Sequence, residues 1–295
     1  MKHELSILIP TYCSDCRPLA AELSRQAEAI SGLSYELVVA DDGSPCRESV
    51  ELCREVARLP HCRFIERGEN SGRAVIRNFL AGEARYEWLL FLDCDMTITD
   101  PHFLLNYLTY DGEEQIIYGG YIVGEGEPSC LRYLYEKQCE PEHRASERRK
   151  RPYQHFHTSN FLVRREVMLA YPFDERFRHY GYEDVLFGKQ LRLSGIAVAH
   201  LENPVGFFTF EDNPHFVAKT EEGLRTLHEF RADLRGYSQM LTFVDGIHIP
   251  LVKWFIRLWH RLFGRLERHR LCGKHPSLRM FRIYKLGYFL TLRSA

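Results

Sequence analysis

An α/β fold built on a mostly parallel, twisted sheet is predicted by three features of this 295-residue sequence. Up to Asp95, apolar runs of strand length alternate with segments of helical spacing. One run, Trp88-Leu89-Leu90-Phe91-Leu92, is apolar throughout, as in a strand covered on both faces. Acidic residues stand where strands end: Asp41 and Asp42 after one, Asp93 and Asp95 after another. In open sheets of this kind ligands gather beyond the carboxyl ends of the strands, so the sheet and its site are predicted together.

Taken in order, Leu5 to Ile9 reads as the first strand, closed by Pro10. Pro18 to Ile30 has helical spacing (Leu19, Leu23, Ala27, Ile30) and stops near Gly32. Tyr35 to Ala40 is a second strand, Glu48 to Leu59 a second helix and Cys62 to Glu66 a third strand. Ala74 to Ala84 is a third helix, leading to the central strand at Trp88. Gln115 to Gly120 and Thr158 to Val163 read as later strands. Between them, Glu140 to Arg151 is so densely charged that it reads as a surface loop or solvated helix, with a lid over the site as the alternative. Val185 to Leu193 has helical spacing with Gly195 as its cap, and Ile196 to Leu201 is a late strand. Residues 1–235 are expected to form the α/β domain and 236–295 a basic helical extension.

Composition excludes several classes. Apolar residues make up 45% and charged residues 27%, as in an ordinary globular chain. The nine cysteines are irregularly spaced, and the lone Cys13-x-x-Cys16 has no second pair, so neither a disulfide framework nor a zinc site is indicated. Leu5 to Ile9 is too short for a signal peptide and no run approaches a spanning helix, so a cytoplasmic protein is expected. Neither G-x-G-x-x-G after the first strand nor a P-loop occurs. If a nucleotide diphosphate binds here, a metal must do what glycine loops do elsewhere.

The chemistry-bearing residues form two carboxylate pairs. Asp93 and Asp95, two apart on an extended chain, lean the same way. Adjacent like charges at the rim of an apolar core call for a cation, and a hard divalent ion shared with a phosphate is the natural one. An acid-rich solvated turn is the plain alternative. Glu183 and Asp184 precede a helix, where negative charge is favoured. They act either as a cap or as a general base at the mouth of the site.

Several short motifs occur in a telling order: Ser6-Ile7-Leu8-Ile9-Pro10-Thr11-Tyr12, Asp41-Asp42-Gly43-Ser44, Asn70-Ser71-Gly72-Arg73-Ala74 with Arg77-Asn78, Asp93-Cys94-Asp95 and Gly181-Tyr182-Glu183-Asp184. Together they resemble the inverting family 2 glycosyltransferases of GT-A fold, of the bacterial polysaccharide type. The match covers roughly the first 200 residues, with a looser fit to about residue 230. The resemblance implies a nucleotide-sugar donor, a UDP-sugar. Asp42 would accept the N–H of a uracil-type base and Thr11 would line its pocket. Arg73 and Arg77 would steady the base or the acidic strand ends, unless they form plain helix-surface salt bridges. Asp93 would face the ribose, and Asp95, in the D-x-D motif, would hold Mn2+ or Mg2+ on the diphosphate. Asp184 would be the base and Glu183 would orient a sugar. One departure stands out. Related enzymes often carry a His after the late strand as a metal ligand, and here Phe207 or Phe208 stands there. His200 and His215 lie nearby as substitutes, and the aromatics at 207, 208 and 210 are expected to pack as core.

From Pro250 onward the chain carries eleven Lys or Arg and one acid, Glu267. Pro250 to Arg270 reads as an amphipathic helix, with Leu251, Phe255, Leu258, Trp259, Leu262, Phe263 and Leu266 on one side and Lys253, Arg257, Arg261, Arg265 and Arg268 on a separate arc. That pattern fits an anionic membrane surface. The alternative is a helix docked on the domain with its basic face solvated. Nucleic acid is not expected, because the tail is too apolar on one face. The expected partners are therefore a nucleotide-sugar, a glycan or lipid-linked acceptor, and the inner face of the cytoplasmic membrane. The competing readings are a non-catalytic sugar-nucleotide-binding scaffold of the same fold and a nucleotidyltransferase.

Overall fold

The computed structural model describes residues 1–292. Its main sheet has seven strands, numbered in chain order and arranged as β3 (Cys62–Glu66), β2 (Ser34–Asp41), β1 (Glu4–Thr11), β4 (Trp88–Leu92), β8 (Asn160–Arg164), β6 (Ile116–Tyr118) and β9 (Val198–His200). The pairs from β3 through β4 are parallel, and β8 runs antiparallel to both β4 and β6. A smaller sheet has the order β5 (Thr97–Ile98), β10 (Val205–Phe207) and β7 (Tyr121–Val123).

The pleat sorts the strand residues between two cores. Leu8, Val38, Leu89, Phe91 and Phe161 face one side, and Ile7, Ile9, Leu37, Leu90 and Leu162 the other. Helices α1 (Arg17–Glu28), α2 (Arg47–Arg54) and α4 (Phe103–Leu108) contribute to the second core. The first is covered mainly by α3 (Arg73–Glu83) and, later in the chain, α7 (Arg165–Ala170), α8 (Glu183–Leu193) and α9 (Asn213–Glu229). Between these runs lie α5 (Leu131–Cys139) and the single turn α6 (Ala145–Arg148). The predicted layers are therefore present, and Trp88 to Leu92 is buried from end to end.

The charged run from Glu140 to Arg151 faces solvent over most of its length, as expected, and departs from that expectation at one arginine. It folds as a 3-10 turn followed by α6, and Arg148 is fully buried. All five of its N–H groups are engaged, by the carbonyls of His143, Tyr118, Gly119 and Leu201 and by His200 Nδ1. A buried guanidinium is tolerated when every donor is matched. Arg148 thus ties the ends of β6 and β9 to the turn beside the site.

After 235, α11 (Gln239–Gly246) follows the short α10 (Arg231–Leu234), then α12 (Pro250–Leu271) and α13 (Leu278–Thr291). Leu241, Val244, Phe289 and Leu290 join the first core, and Phe281 and Tyr284 of α13 pack with Leu131, Phe216 and Val217 of α5 and α9. Arg293, counted among the basic residues of the tail, lies outside the described residues.

Candidate active site

The acidic strand end and the start of α8 are joined by one arginine. Asp93 follows β4 directly, and its Oδ1 accepts Arg77 Nη2 at 2.8 Å. The same guanidinium donates through Nη1 to Glu183 Oε1 at 3.2 Å. Arg77 is 1% exposed, so it is no surface salt bridge; it is a buried clamp between α3 and the two carboxylates. Arg73, one turn earlier, opens to the cleft and stacks on Tyr180 at 4.9 Å. Lys219 of α9 covers the same ring at 4.8 Å.

Gly181 and Tyr182 both adopt left-handed conformations, with φ of 97° and 70°. That is costly for a tyrosine and is found where a site demands it. Side-chain bonds from α9 hold the turn: Glu222 Oε1 accepts the Tyr180 N–H, and Thr226 donates to the Tyr180 carbonyl. The turn brings Glu183 and Asp184 to the cleft wall in different surroundings. Burial and the neighbouring Asp184 carboxylate push the Glu183 carboxyl up, against the pull of Arg77 and Arg73. Burial also acts to raise Asp184, but the bond from His157, the Val185 N–H and Arg77 outweigh it and hold that carboxyl below its ordinary value. His157 Nδ1 stands 3.3 Å from Asp184 Oδ2. Adjacent carboxylates with diverging proton affinities are how acid–base roles are divided.

Asp42 and Thr11 lie outside this cleft lining. The Asp42 carboxylate accepts Gly72 N–H at 2.9 Å, Ser71 Oγ at 2.7 Å and Arg67 Nη1 at 2.8 Å, and so anchors the loop that starts α3. Gly72, at φ 91°, passes so close to Arg178 that an added Cβ would lie 2.8 Å from its carbonyl oxygen. Thr11 is buried and donates to the Ser14 carbonyl.

The cleft has a volume of about 460 Å³, and Arg73, Asp93, Asp95, Glu183 and Asp184 line it together. Asp95 points into it with its tip open. The crowding of protein around it and the nearby Asp93 charge raise its carboxyl, while Arg73 and Lys219 pull the other way.

A family model for glycosyl transferase family 2 matches residues 6–171. The chain belongs to this family. It is 25% identical over 238 residues to chondroitin synthase of Escherichia coli, across 69% of this chain and 34% of that protein. To dolichol-phosphate mannosyltransferase of Pyrococcus furiosus it is 36% identical over 95 residues, 32% of this chain and 26% of the relative. The chain thus spans about a third and about a quarter of these relatives. Among solved structures, S. aureus TarS 1-349 in complex with UDP superposes with a TM-score of 0.53 at 17% identity, over 99% of this chain and 90% of that one. Mannosyltransferase PcManGT from Pyrobaculum calidifontis, in complex with GDP-Man and Mn2+, gives 0.56 at 12% identity, over 98% and 85%. These likenesses establish the GT-A fold.

For this family 2 chain the metal question turns on the donor set. Among the described residues no three His, Cys, Asp or Glu side chains are grouped to hold an ion. The two suggested substitutes do not serve. His200 is buried, with Nδ1 against Arg148 at 3.0 Å and Nε2 against the Pro152 carbonyl at 2.9 Å, and burial with Arg148 lowers it to about 4. His215 lies in the first turn of α9, its N–H and ring paired with the capping Asp212, outside the cleft lining. Phe207 lines the cleft and packs against Phe210 and Arg132, and Phe208 is exposed and lies over Gly206 and Gly124. Of the expected aromatic core, therefore, Phe207 is buried and Phe208 is not. What remains, Asp95 with Asp93, suits a hard divalent ion that takes its other ligands from phosphate oxygens.

His157, Lys219 and Arg132 were not anticipated. His157 sits three residues ahead of β8, far in sequence from Asp184, and no spacing rule connects them. Lys219 reaches the cleft from α9, a helix that the sequence reading left unassigned.

Proposed function

We propose that this chain transfers a sugar, with inversion, from a UDP-sugar to a hydroxyl of a glycan or lipid-linked glycan, using Mn2+ or Mg2+, at the cytoplasmic face of an anionic membrane. The observation that supports this most strongly is a single cleft holding both Asp184, with His157 Nδ1 3.3 Å from its carboxylate, and the acidic strand end at Asp95.

In this reading the acceptor O–H donates to the Asp184 carboxylate, which takes its proton as the acceptor oxygen bonds to the anomeric carbon and the bond to the diphosphate breaks. Attack from the side opposite the leaving group inverts the configuration. His157 keeps Asp184 ionised and aimed. Glu183, held by Arg77, orients a sugar hydroxyl. Arg73 and Lys219, the cations facing Asp95, balance diphosphate charge. A divalent ion held by Asp95 and Asp93 would neutralise the departing nucleoside diphosphate. The UDP of the TarS structure supports the uridine series, and the GDP-Man of PcManGT sets the guanosine series as the competing arm. A second reading, a non-catalytic sugar-nucleotide binder, is favoured by the lack of a three-residue ligand group among the described residues.

UDP- and GDP-sugars with and without Mn2+, read by thermal shift, separate these readings. A Mn2+-dependent shift with UDP-sugars, lost in Asp95→Ala, supports the proposed donor site. Release of nucleoside diphosphate that vanishes in Asp184→Asn supports catalysis; binding without release supports the scaffold; pyrophosphate release supports nucleotidyl transfer.

A further inference from the structure

Helix α12 is held with the wrong face inward. Its inner side is formed by Ile256, His260, Gly264, Glu267 and Leu271, a mixed arc whose middle is small or polar. This arc lies against α13, where Gly287 approaches so closely that a Cβ there would sit 2.7 Å from His260 Cβ. Arg257 Nε donates across this seam to the Leu290 carbonyl at 2.9 Å, Arg268 of α12 and Tyr284 of α13 both bond Glu221 of α9, and within α12 Trp259 Nε1 donates to Glu267 at 2.7 Å. The apolar arc faces solvent. Leu251, Phe255, Trp259, Leu262 and Leu266 are 49–66% exposed, with Trp254 at 51% on its edge. Monomers in water rarely leave such a stripe open.

We infer that α12 lies in the plane of an anionic bilayer, with this arc among the acyl chains and Arg261 and Arg265 on the lipid headgroups. Charge selects this occupant over a second copy of the chain. The exposed Arg261 and Arg265 lie beside the apolar arc, and the one acid of α12, Glu267, is buried and bonded by Trp259 of the same helix. A second copy of this face therefore offers the arginines no carboxylate, whereas anionic lipid does. The indoles of Trp254 and Trp259 suit the interfacial depth. The helix against which α12 packs, α13, also sends Phe281 and Lys285 into the cleft wall, so the anchor and the site share one rigid support. This inference rests on the membrane-surface reading above and not on the transfer chemistry, so the two fail separately.

The test uses the full chain and vesicles of phosphatidylcholine with or without phosphatidylglycerol. The expected result is co-sedimentation with the anionic vesicles, weakened by salt. Phe255→Glu with Leu262→Glu, and separately Arg261→Glu with Arg265→Glu, should each lower partitioning at least about tenfold. Brominated lipid should quench Trp254 and Trp259 but not Trp88, which is buried in β4. Retention in the supernatant overturns the inference, as does unchanged partitioning of both double variants. A concentration-dependent dimer that Phe255→Glu with Leu262→Glu dissolves, in protein that ignores vesicles, assigns the face to a second copy instead. The UDP-sugar thermal shift on the same samples reports the transfer reading independently.

Discussion

Helices α1 and α12 both carry proline in their first turn and an apolar arc along one side, and they lie in opposite senses. In α1 the arc of Leu19, Leu23 and Ala27 is buried at 0–4% exposure. In α12 the corresponding arc faces outward, and the side carrying His260 and Gly264 lies inward, with His260 against Gly287 of α13. The difference teaches that amphipathic periodicity reveals an apolar face but not what covers it. Helix α1 is driven down by the sheet it completes. Helix α12 meets α13 at a glycine, and the close approach at Gly287, the Arg257 bond to the Leu290 carbonyl and the Arg268 bond to Glu221 of α9 set its roll.

Several measurements would break or sharpen this contrast between a closed catalytic core and an open tail. The largest effect is expected from Asp184→Asn, which should lower kcat by about 10²–10⁴-fold in a transfer assay. Its vesicle binding should remain that of the wild type, since the tail is untouched. Next comes Arg77→Ala. It leaves Asp93 and Glu183 without their shared counter-charge and should destabilise the fold by about 3–5 kcal/mol in denaturant titration. Leu23→Ala in α1 should cost about 2–5 kcal/mol. Leu262→Ala in α12 should stay within about 0.5 kcal/mol without lipid. Equal costs at these two leucines would mean that the α12 face is covered in the free protein. The smaller effect on activity is expected from His157→Ala. The bond from His157 helps hold Asp184 below its ordinary value. Its loss should raise that carboxyl, so the base becomes protonated at higher pH. The acid limb of the rate–pH profile should move upward, with a fall of about tenfold or less at neutral pH.

Much of the core was legible because strand and helix periodicities are local. The strands around Leu5–Ile9, Tyr35–Ala40 and Trp88–Leu92 sit where apolar runs demanded them. The small sheet was not legible: β5, β7 and β10 have two or three residues each, too few for an alternation to register. Nor could Arg148 be told from Arg149 or Arg151, since only the folded chain shows which arginine finds five acceptors.

The sequence by itself determined the alternation that makes an α/β sheet, the carboxylates at strand ends and helix start, and the presence of an apolar and a basic arc in the tail. These follow from residue type and short-range spacing, which the backbone geometry converts directly into faces and ends. Tertiary structure alone decided the partnerships. It put Arg77 between Asp93 and Glu183, set His157 against Asp184, brought Lys219 and Arg73 onto one tyrosine, closed off His200, and turned α12 outward. Each is a contact between residues distant in the chain, and its energy depends on which donors, carboxylates and cavities the fold has already brought within bonding distance.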